Sequence, residues 1–172
     1  MEKRIIYPGT FDPVTLGHLD LMKRAAKIFD KLTIAVAKNL QKKHLFSLDE
    51  RLHILREATR GMENVEIDHF DGLLVEYARR KKSHIILRGI RAISDFEYEF
   101  QMALSNRKLA PEIETIFMMP SENYSYLSSK IIKEVASLGA DLSGFVPAFV
   151  EKRLKEKLAS KKKVDLGNIN TG

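Results

Sequence analysis

Arg4-Ile5-Ile6-Tyr7-Pro8-Gly9-Thr10-Phe11-Asp12-Pro13-Val14-Thr15-Leu16-Gly17-His18 reads as a short buried strand, a turn-rich loop and the opening of a helix. Beyond it, Leu21, Met22, Ala25, Ile28 and Phe29 recur at three-to-four spacing and give that helix one apolar face to lay on a sheet. The same alternation continues to the end of the chain. After the first strand at 4–7, β-rich runs at 32–37, 65–70, 84–87 and 115–119 alternate with helical patterns beginning near Gly17, Leu48, Leu73, Asp95 and Ser129. Such alternation predicts an α/β fold: a Rossmann-like doubly wound sheet of five parallel strands with helices on both faces. Ser47-Leu48-Asp49-Glu50 and Ser94-Asp95-Phe96-Glu97 both have the form of a capping box and should start helices. Gly139 is placed to end the helix from Ser129, and Pro147 to open a last one running to about Leu158.

At 172 residues one hydrophobic core is the favoured organisation, so residues 1–158 are expected to form one domain. Residues 159–172 form a basic tail, short of apolar side chains and expected to fray. No apolar run reaches the roughly 18 to 20 residues of a membrane span, and the stretch after Arg4 is too short for a signal peptide. The chain contains no cysteine, which excludes disulfides, thiolate metal sites and cysteine nucleophiles and fits a reducing cytoplasm. The net charge is +6, but residues 151–172 carry +4 of it and the body only +2. That distribution argues against a groove for a polyphosphate backbone and leaves room for small anionic ligands.

In an open α/β sheet ligands settle beyond the carboxyl ends of the strands, so the loops there are where chemistry is sought. The loop at 8–18 is neither a Walker loop nor the glycine-spaced dinucleotide fingerprint. It offers Gly17 and His18 at a helix amino terminus, where a ligand can approach closely and the first-turn amides favour anions. His18 either presents a ring nitrogen to a phosphate or simply packs at the helix start. Lys42 and Lys43 follow the second strand, as solvated charge or as cations over a ligand. Arg88 at the end of a hydrophobic strand needs an anion, either a ligand or a fixed partner in Asp95 or Glu99. The hydroxyl-rich passage from Ser121 to Lys130 supplies either an N-cap at Ser128 or Ser129 or a place for a nucleotide phosphate. His44, His53, His69 and His84 lack the spacing of a zinc site, no Gly-x-Ser-x-Gly elbow exists, and Glu97 and Glu99 lie on different helix faces.

Tyr7-Pro8-Gly9-Thr10-Phe11-Asp12-Pro13 followed by Thr15-Leu16-Gly17-His18 resembles the nucleotidyltransferase signature, in which the first histidine of His-x-Gly-His is often threonine. Arg88-Gly89-Ile90-Arg91-Ala92 with Asp95-Phe96-Glu97-Tyr98-Glu99, and Ser128-Ser129 before Ile132-Lys133-Glu134-Val135, narrow it. These stretches resemble the bacterial phosphopantetheine adenylyltransferase family, with similarity from about residue 3 to about residue 158. Three positions depart from the family pattern: Leu16 where asparagine is frequent, Tyr124 where other aromatics occur, and Lys130 in place of a smaller residue.

The resemblance implies that ATP and 4′-phosphopantetheine give dephospho-coenzyme A and pyrophosphate, with Mg²⁺. By position it implies phosphopantetheine contacts from Thr10, Lys42, Leu74 and Arg88, with Arg88 and Lys42 on its phosphate. It implies ATP contacts from Thr10, Phe11, His18, Gly89, Ile90, Arg91 and Glu99. The run Tyr124, Ser125, Tyr126, Leu127, Ser128, Ser129 and Lys130 joins them, and His18, Lys42 and Arg91 take the catalytic roles. It further implies a homohexamer, coenzyme A as feedback inhibitor, a cytoplasmic location, and neither nucleic acid nor membrane as partner. Two other readings stay open: a nucleotidyltransferase of the same fold acting on a nicotinamide nucleotide or polyol phosphate, and a non-catalytic nucleotide- or RNA-binding module.

Overall fold

The computed structural model describes residues 2–38, 43–91 and 93–169, apart from the side chains of 93–94 and 162–169. Five strands, β1 (Arg4–Gly9), β2 (Lys31–Ala37), β3 (Val65–Phe70), β4 (Ile85–Gly89) and β5 (Glu114–Met118), form one sheet in the order β3-β2-β1-β4-β5. All pairings are parallel, from Arg4↔Lys31 to Gly9↔Val36 between β1 and β2, and from Ile85↔Glu114 to Gly89↔Met118 between β4 and β5. The helices are α1 (Leu16–Ile28), α2 (Leu48–Ala58), α3 (Leu74–Arg80), α4 (Ile93–Leu109), α5 (Ser129–Ser137) and α6 (Ala148–Ile169), with one 3-10 turn at Glu122–Tyr124.

The central strands are near-continuous runs of β-branched and aliphatic residues because both of their faces are covered. On one face Ile5, Leu32, Ile34, Val36 and Leu87 pack with Leu21, Leu55, Ile132 and Leu154 from α1, α2, α5 and α6. On the other, Ile6, Ala35 and Ile86 meet Val75, Tyr77 and Ala78 of α3 and Ala110 beyond α4. This is the expected doubly wound sheet. The chain runs outward from β1 through β2 to β3, then crosses back to place β4 on the other side of β1. The carboxyl ends of β1 and β4 therefore form the switch point, where the two following loops part and leave a crevice.

Local signals hold at several boundaries. Ser47 caps α2 by accepting from Glu50 N at 3.2 Å, while the Glu50 carboxylate accepts from Ser47 N at 2.7 Å. Gly139, at φ +84°, terminates α5 with its N–H on Ala136 O and that of Ala140 on Val135 O. Two expectations are corrected. Helix α4 begins at Ile93, so Ser94 lies inside its first turn rather than capping it. The acidic residues of this end reach back to arginines instead, Asp95 to Arg91 and Glu99 to Arg88. Helix α6 runs past Leu158 to Ile169, because alanine and lysine at 159–163 are good helix formers and no glycine intervenes before 167.

Candidate active site

At the switch point a cavity of about 430 Å³ opens between the ends of β1 and β4, the start of α1 and the passage into α5. Two strand-end glycines let the walls close up. A Cβ on Gly9 would stand 2.7 Å from the ring of Phe11, and one on Gly89 would stand 2.7 Å from Leu21 Cδ1. Phe11 itself adopts φ 49°, a left-handed conformation that turns its ring back over Gly9 and edge-on to Tyr7. Gly17 lines the cavity, and the backbone carbonyl of Tyr124 also lies 3.3 Å from where its Cβ would be. The missing side chain there makes room for the chain itself.

His18 sits at the third position of α1, behind Thr15 as N-cap. Thr15 Oγ1 accepts from His18 N at 3.2 Å, and the imidazole Nδ1 accepts from Thr15 N at 3.0 Å. Histidine here takes the place glutamate holds in an ordinary capping box. An Nδ1 that accepts carries no proton, so in the neutral ring the proton is on Nε2, the nitrogen left for the cavity. Burial, reinforced by the charge of Arg91, brings the pKa of His18 down to about 4. The ring is therefore neutral at pH 7, with one fixed tautomer and one donor. The two sequence readings of His18 are compatible, because each nitrogen serves one of them.

Two guanidinium groups flank it. Arg88, at the end of β4, donates from Nε and Nη2 to the two oxygens of Glu99 at 2.6 Å each and from Nη1 to Pro8 O at 3.1 Å. Burial works against its charge, but Glu99 outweighs it and the pKa is raised. The fixed ion pair weighed for Arg88 is thus present, to Glu99 and not to Asp95. Arg91 holds Asp95 from Nε and Nη2 at 2.9 and 3.2 Å and donates from Nη1 to Leu127 O at 2.9 Å. Each guanidinium has five N–H groups, so three such bonds leave donors for an anion.

The loop after β1 is held from behind by Asp12 and Arg51, to which sequence reasoning gave no role, and by Ser129. Asp12, 3% exposed, accepts from Leu45 N and Phe46 N at 2.9 Å each and from Lys133 Nζ at 2.8 Å. Burial pushes its pKa up, yet the lysine and the two amides outweigh burial and keep the carboxyl below its usual range. Arg51, buried on α2, donates to Thr10 O at 2.9 Å, and Ser129 Oγ donates to Pro13 O at 2.7 Å. A carboxylate between Phe11 and Pro13, in a loop whose other side chains are uncharged, was the available signal for Asp12.

Of the expected site residues, Thr10, Phe11, His18, Arg88, Gly89 and Arg91 line the cavity. So do Glu99, Tyr124, Leu127, Ser128, Ser129 and Lys130. Ser128 is the N-cap of α5, accepting from Ile131 N at 3.2 Å. Four others stand outside the lining. Leu74 begins α3 against the core of the opposite sheet face, and Ile90 donates its N–H to Met118 O. Ser125 Oγ bonds Glu122 O, and Tyr126 is exposed with its ring edge against Phe145. Lys42 lies outside the described residues. Among the described residues no group of three metal-ligating side chains occurs, and the cavity's one lining carboxylate, Glu99, has both oxygens on Arg88. No helix among them is long and apolar enough to cross a membrane.

The arrangement offers neutral and cationic donors to an oxygen-rich anion. The profile of the cytidylyltransferase-like family matches residues 6–135. The chain is 57% identical over 152 residues to a phosphopantetheine adenylyltransferase of Caldanaerobacter subterraneus subsp. tengcongensis, covering 88% of this chain and 95% of that protein. It is 55% identical over 156 residues to one of Desulfosudis oleivorans, covering 91% and 93%. Plasmodium falciparum nicotinic acid mononucleotide adenylyltransferase in complex with NaAD shares the fold alone, at a TM-score of 0.67 and 11% identity over 96% of this chain and 98% of that one.

Proposed function

The chain belongs to the phosphopantetheine adenylyltransferase family of the cytidylyltransferase-like fold, and from that membership we propose that its cavity joins ATP to 4′-phosphopantetheine. The products are dephospho-coenzyme A and pyrophosphate. An oxygen of the acceptor's phosphate attacks the α-phosphorus of ATP; the new O–P bond forms as the bond from the α-phosphorus to the bridging oxygen breaks, and pyrophosphate leaves with that electron pair. The attacking phosphate is already an anion at neutral pH, so the protein supplies neither nucleophile nor general base. Its contribution is alignment of two anions and donors placed where charge spreads over the transferring group.

The observation that carries this reading is the fixed tautomer of His18, whose Nε2–H is left for the cavity between two guanidinium groups. His18 donates to the α-phosphoryl group, Arg91 holds the donor nucleotide, and Arg88 anchors the acceptor's phosphate with the donors Glu99 leaves unused. Lys42 is assigned to the reacting centre by the family pattern. The lining offers Mg²⁺ no unengaged carboxylate, so the ion enters as a companion of the triphosphate, held by its oxygens and water, and no step is routed through it.

Assembly into a homohexamer belongs to the same proposal. It is supported by α4, whose Phe96, Tyr98, Phe100, Met102 and Leu104 are exposed along the helix. Coenzyme A contains the product's two halves and competes for this cavity as a feedback ligand. A cytoplasmic setting fits a chain without cysteine, and the low net charge of the body weighs against a groove for nucleic acid.

Pyrophosphate release with ATP and a panel of phosphorylated acceptors tests the reaction. Release with 4′-phosphopantetheine is expected. Release only with a nicotinamide nucleotide or a polyol phosphate would overturn the assignment of the acceptor, and ATP binding without pyrophosphate from any acceptor would overturn catalysis.

A further inference from the structure

Most polar groups around the cavity are already engaged within the chain: His18 through Nδ1, Arg88 and Arg91 through three bonds each, Ser128 as a cap and Ser129 on Pro13. Among the buried polar side chains of the lining, Tyr7 is the exception. It projects from β1 with 5% of its surface exposed, its ring edge-on to Phe11 at 5.5 Å and 6.5 Å from the ring of His18. Its hydroxyl lies 3.5 Å from the place a Cβ on Gly89 would take, in the corner shared by Arg88, Arg91 and Glu99. Tyr7 lines the cavity, and its hydroxyl has no hydrogen-bond partner among the described residues.

The hydroxyl opens on the cavity with no partner from the chain, and tyrosines packed this deeply usually find one for the O–H. Phenylalanine would fill the same space against Phe11 and Leu21, so packing alone does not call for the hydroxyl. The surroundings say what the partner is. The polar neighbours of the hydroxyl that face the cavity are donors, two guanidinium groups and the Nε2–H of His18, so a ligand seated there presents acceptor oxygens. Burial raises the pKa of Tyr7, which keeps the phenol protonated and a donor as well.

We infer that Tyr7 is a further ligand-binding residue, its hydroxyl donating a hydrogen bond to a phosphoryl oxygen of the bound nucleotide. The inference rests on the cavity being the nucleotide site of the proposed reaction. It gives the Tyr7 hydroxyl a role in the complex that the unliganded fold does not need.

Tyr7→Phe separates the two. Without ligand the variant should melt close to the temperature of the parent protein, because the hydroxyl holds no partner among the described residues. Its affinity for ATP in calorimetry should fall about 10- to 100-fold, the loss of one hydrogen bond to a charged group. Affinity within twofold of the parent overturns the inference. If Tyr7→Phe is instead less stable, the complex of the parent protein with a non-hydrolysable ATP analogue decides. Tyr7 Oη within about 3.2 Å of a phosphoryl oxygen supports the assignment, and a separation beyond hydrogen-bond reach overturns it. Pyrophosphate release by the parent, run alongside, reports on the underlying reaction; a failure there removes both, whereas normal release with unchanged ATP binding in Tyr7→Phe removes only the role of the hydroxyl.

Discussion

Replacing Asp12 by alanine removes the one carboxylate that ties the loop after β1 to the segment entering α2 and to α5. Its two oxygens accept from Leu45 N and Phe46 N at 2.9 Å, and one of them also from Lys133 Nζ at 2.8 Å. Two amides that lose their acceptor in a buried setting cost about 1 to 3 kcal/mol each. Lys133 is 31% exposed and turns to water when its partner is lost, so it adds little to the penalty. The total is about 2 to 6 kcal/mol, a large share of a typical 5 to 15 kcal/mol of stability. At roughly 2 to 4 °C per kcal/mol for a chain of this size, the midpoint of thermal unfolding drops by about 4 to 24 °C. Urea titration with an unchanged slope is the assay. Lys133→Met should cost less, below about 1.5 kcal/mol, because Asp12 then keeps both amide donors. A loss under about 1 kcal/mol for Asp12→Ala, or an equal loss for the two variants, would show that the carboxylate does not hold the loop. The carboxyl is held below its usual pKa, so this stability is complete above the unfolded value of about 3.9 and disappears as pH falls through the folded one.

His18→Ala should lower kcat by about 10² to 10³, equivalent to roughly 2.7 to 4 kcal/mol, with little change in the KM for ATP; an effect confined to KM would refute a role in the transition state. The imidazole of His18, followed by carbon NMR, should titrate near 4 and stay neutral at pH 5.5, whereas titration near 6.5 would contradict its burial and its bond from Thr15 N. Because folding lowers this pKa from 6.5, the unfolded chain binds more protons, and the contribution of His18 is complete above about pH 6.5 and lost as pH falls toward 4. Arg88→Ala should weaken 4′-phosphopantetheine in calorimetry by about 10-fold or more and leave ATP nearly unaffected, since one charged hydrogen-bonding partner is removed from the acceptor; unaltered acceptor binding would sink the assignment.

The sheet was legible because its signals are local. Five β-rich runs between helical periodicities fix a parallel sheet, and Ser47 with Glu50 marks a helix start that needs nothing distant. Ser94 with Glu97 carries the same local signal, but Asp95 and Glu99 find arginines from outside the helix and its first turn moves to Ile93. Tertiary partners decided between two identical patterns. The candidate site divides in the same way. Residues at strand ends, such as Thr10 and Arg88, reach the cavity because the topology carries every strand end to one edge. Leu74 and Tyr126 were placed by sequence position alone, and the direction of their side chains depends on which core they meet. The function of Asp12 was hidden for a further reason: its partners at 45, 46 and 133 are distant in sequence and two of them are backbone amides, which leave no mark on residue type. The tautomer of His18 follows from Thr15 N, again a backbone group.

A crystal structure of the protein with a non-hydrolysable ATP analogue and 4′-phosphopantetheine measures the central claim most directly. The account expects the analogue at the switch point of β1 and β4, with His18 Nε2 about 2.7 to 3.1 Å from an α-phosphoryl oxygen and the guanidinium of Arg88 on the acceptor's phosphate. A nucleotide seated elsewhere, or bound there with the imidazole and Arg88 both turned from the phosphates, would contradict it.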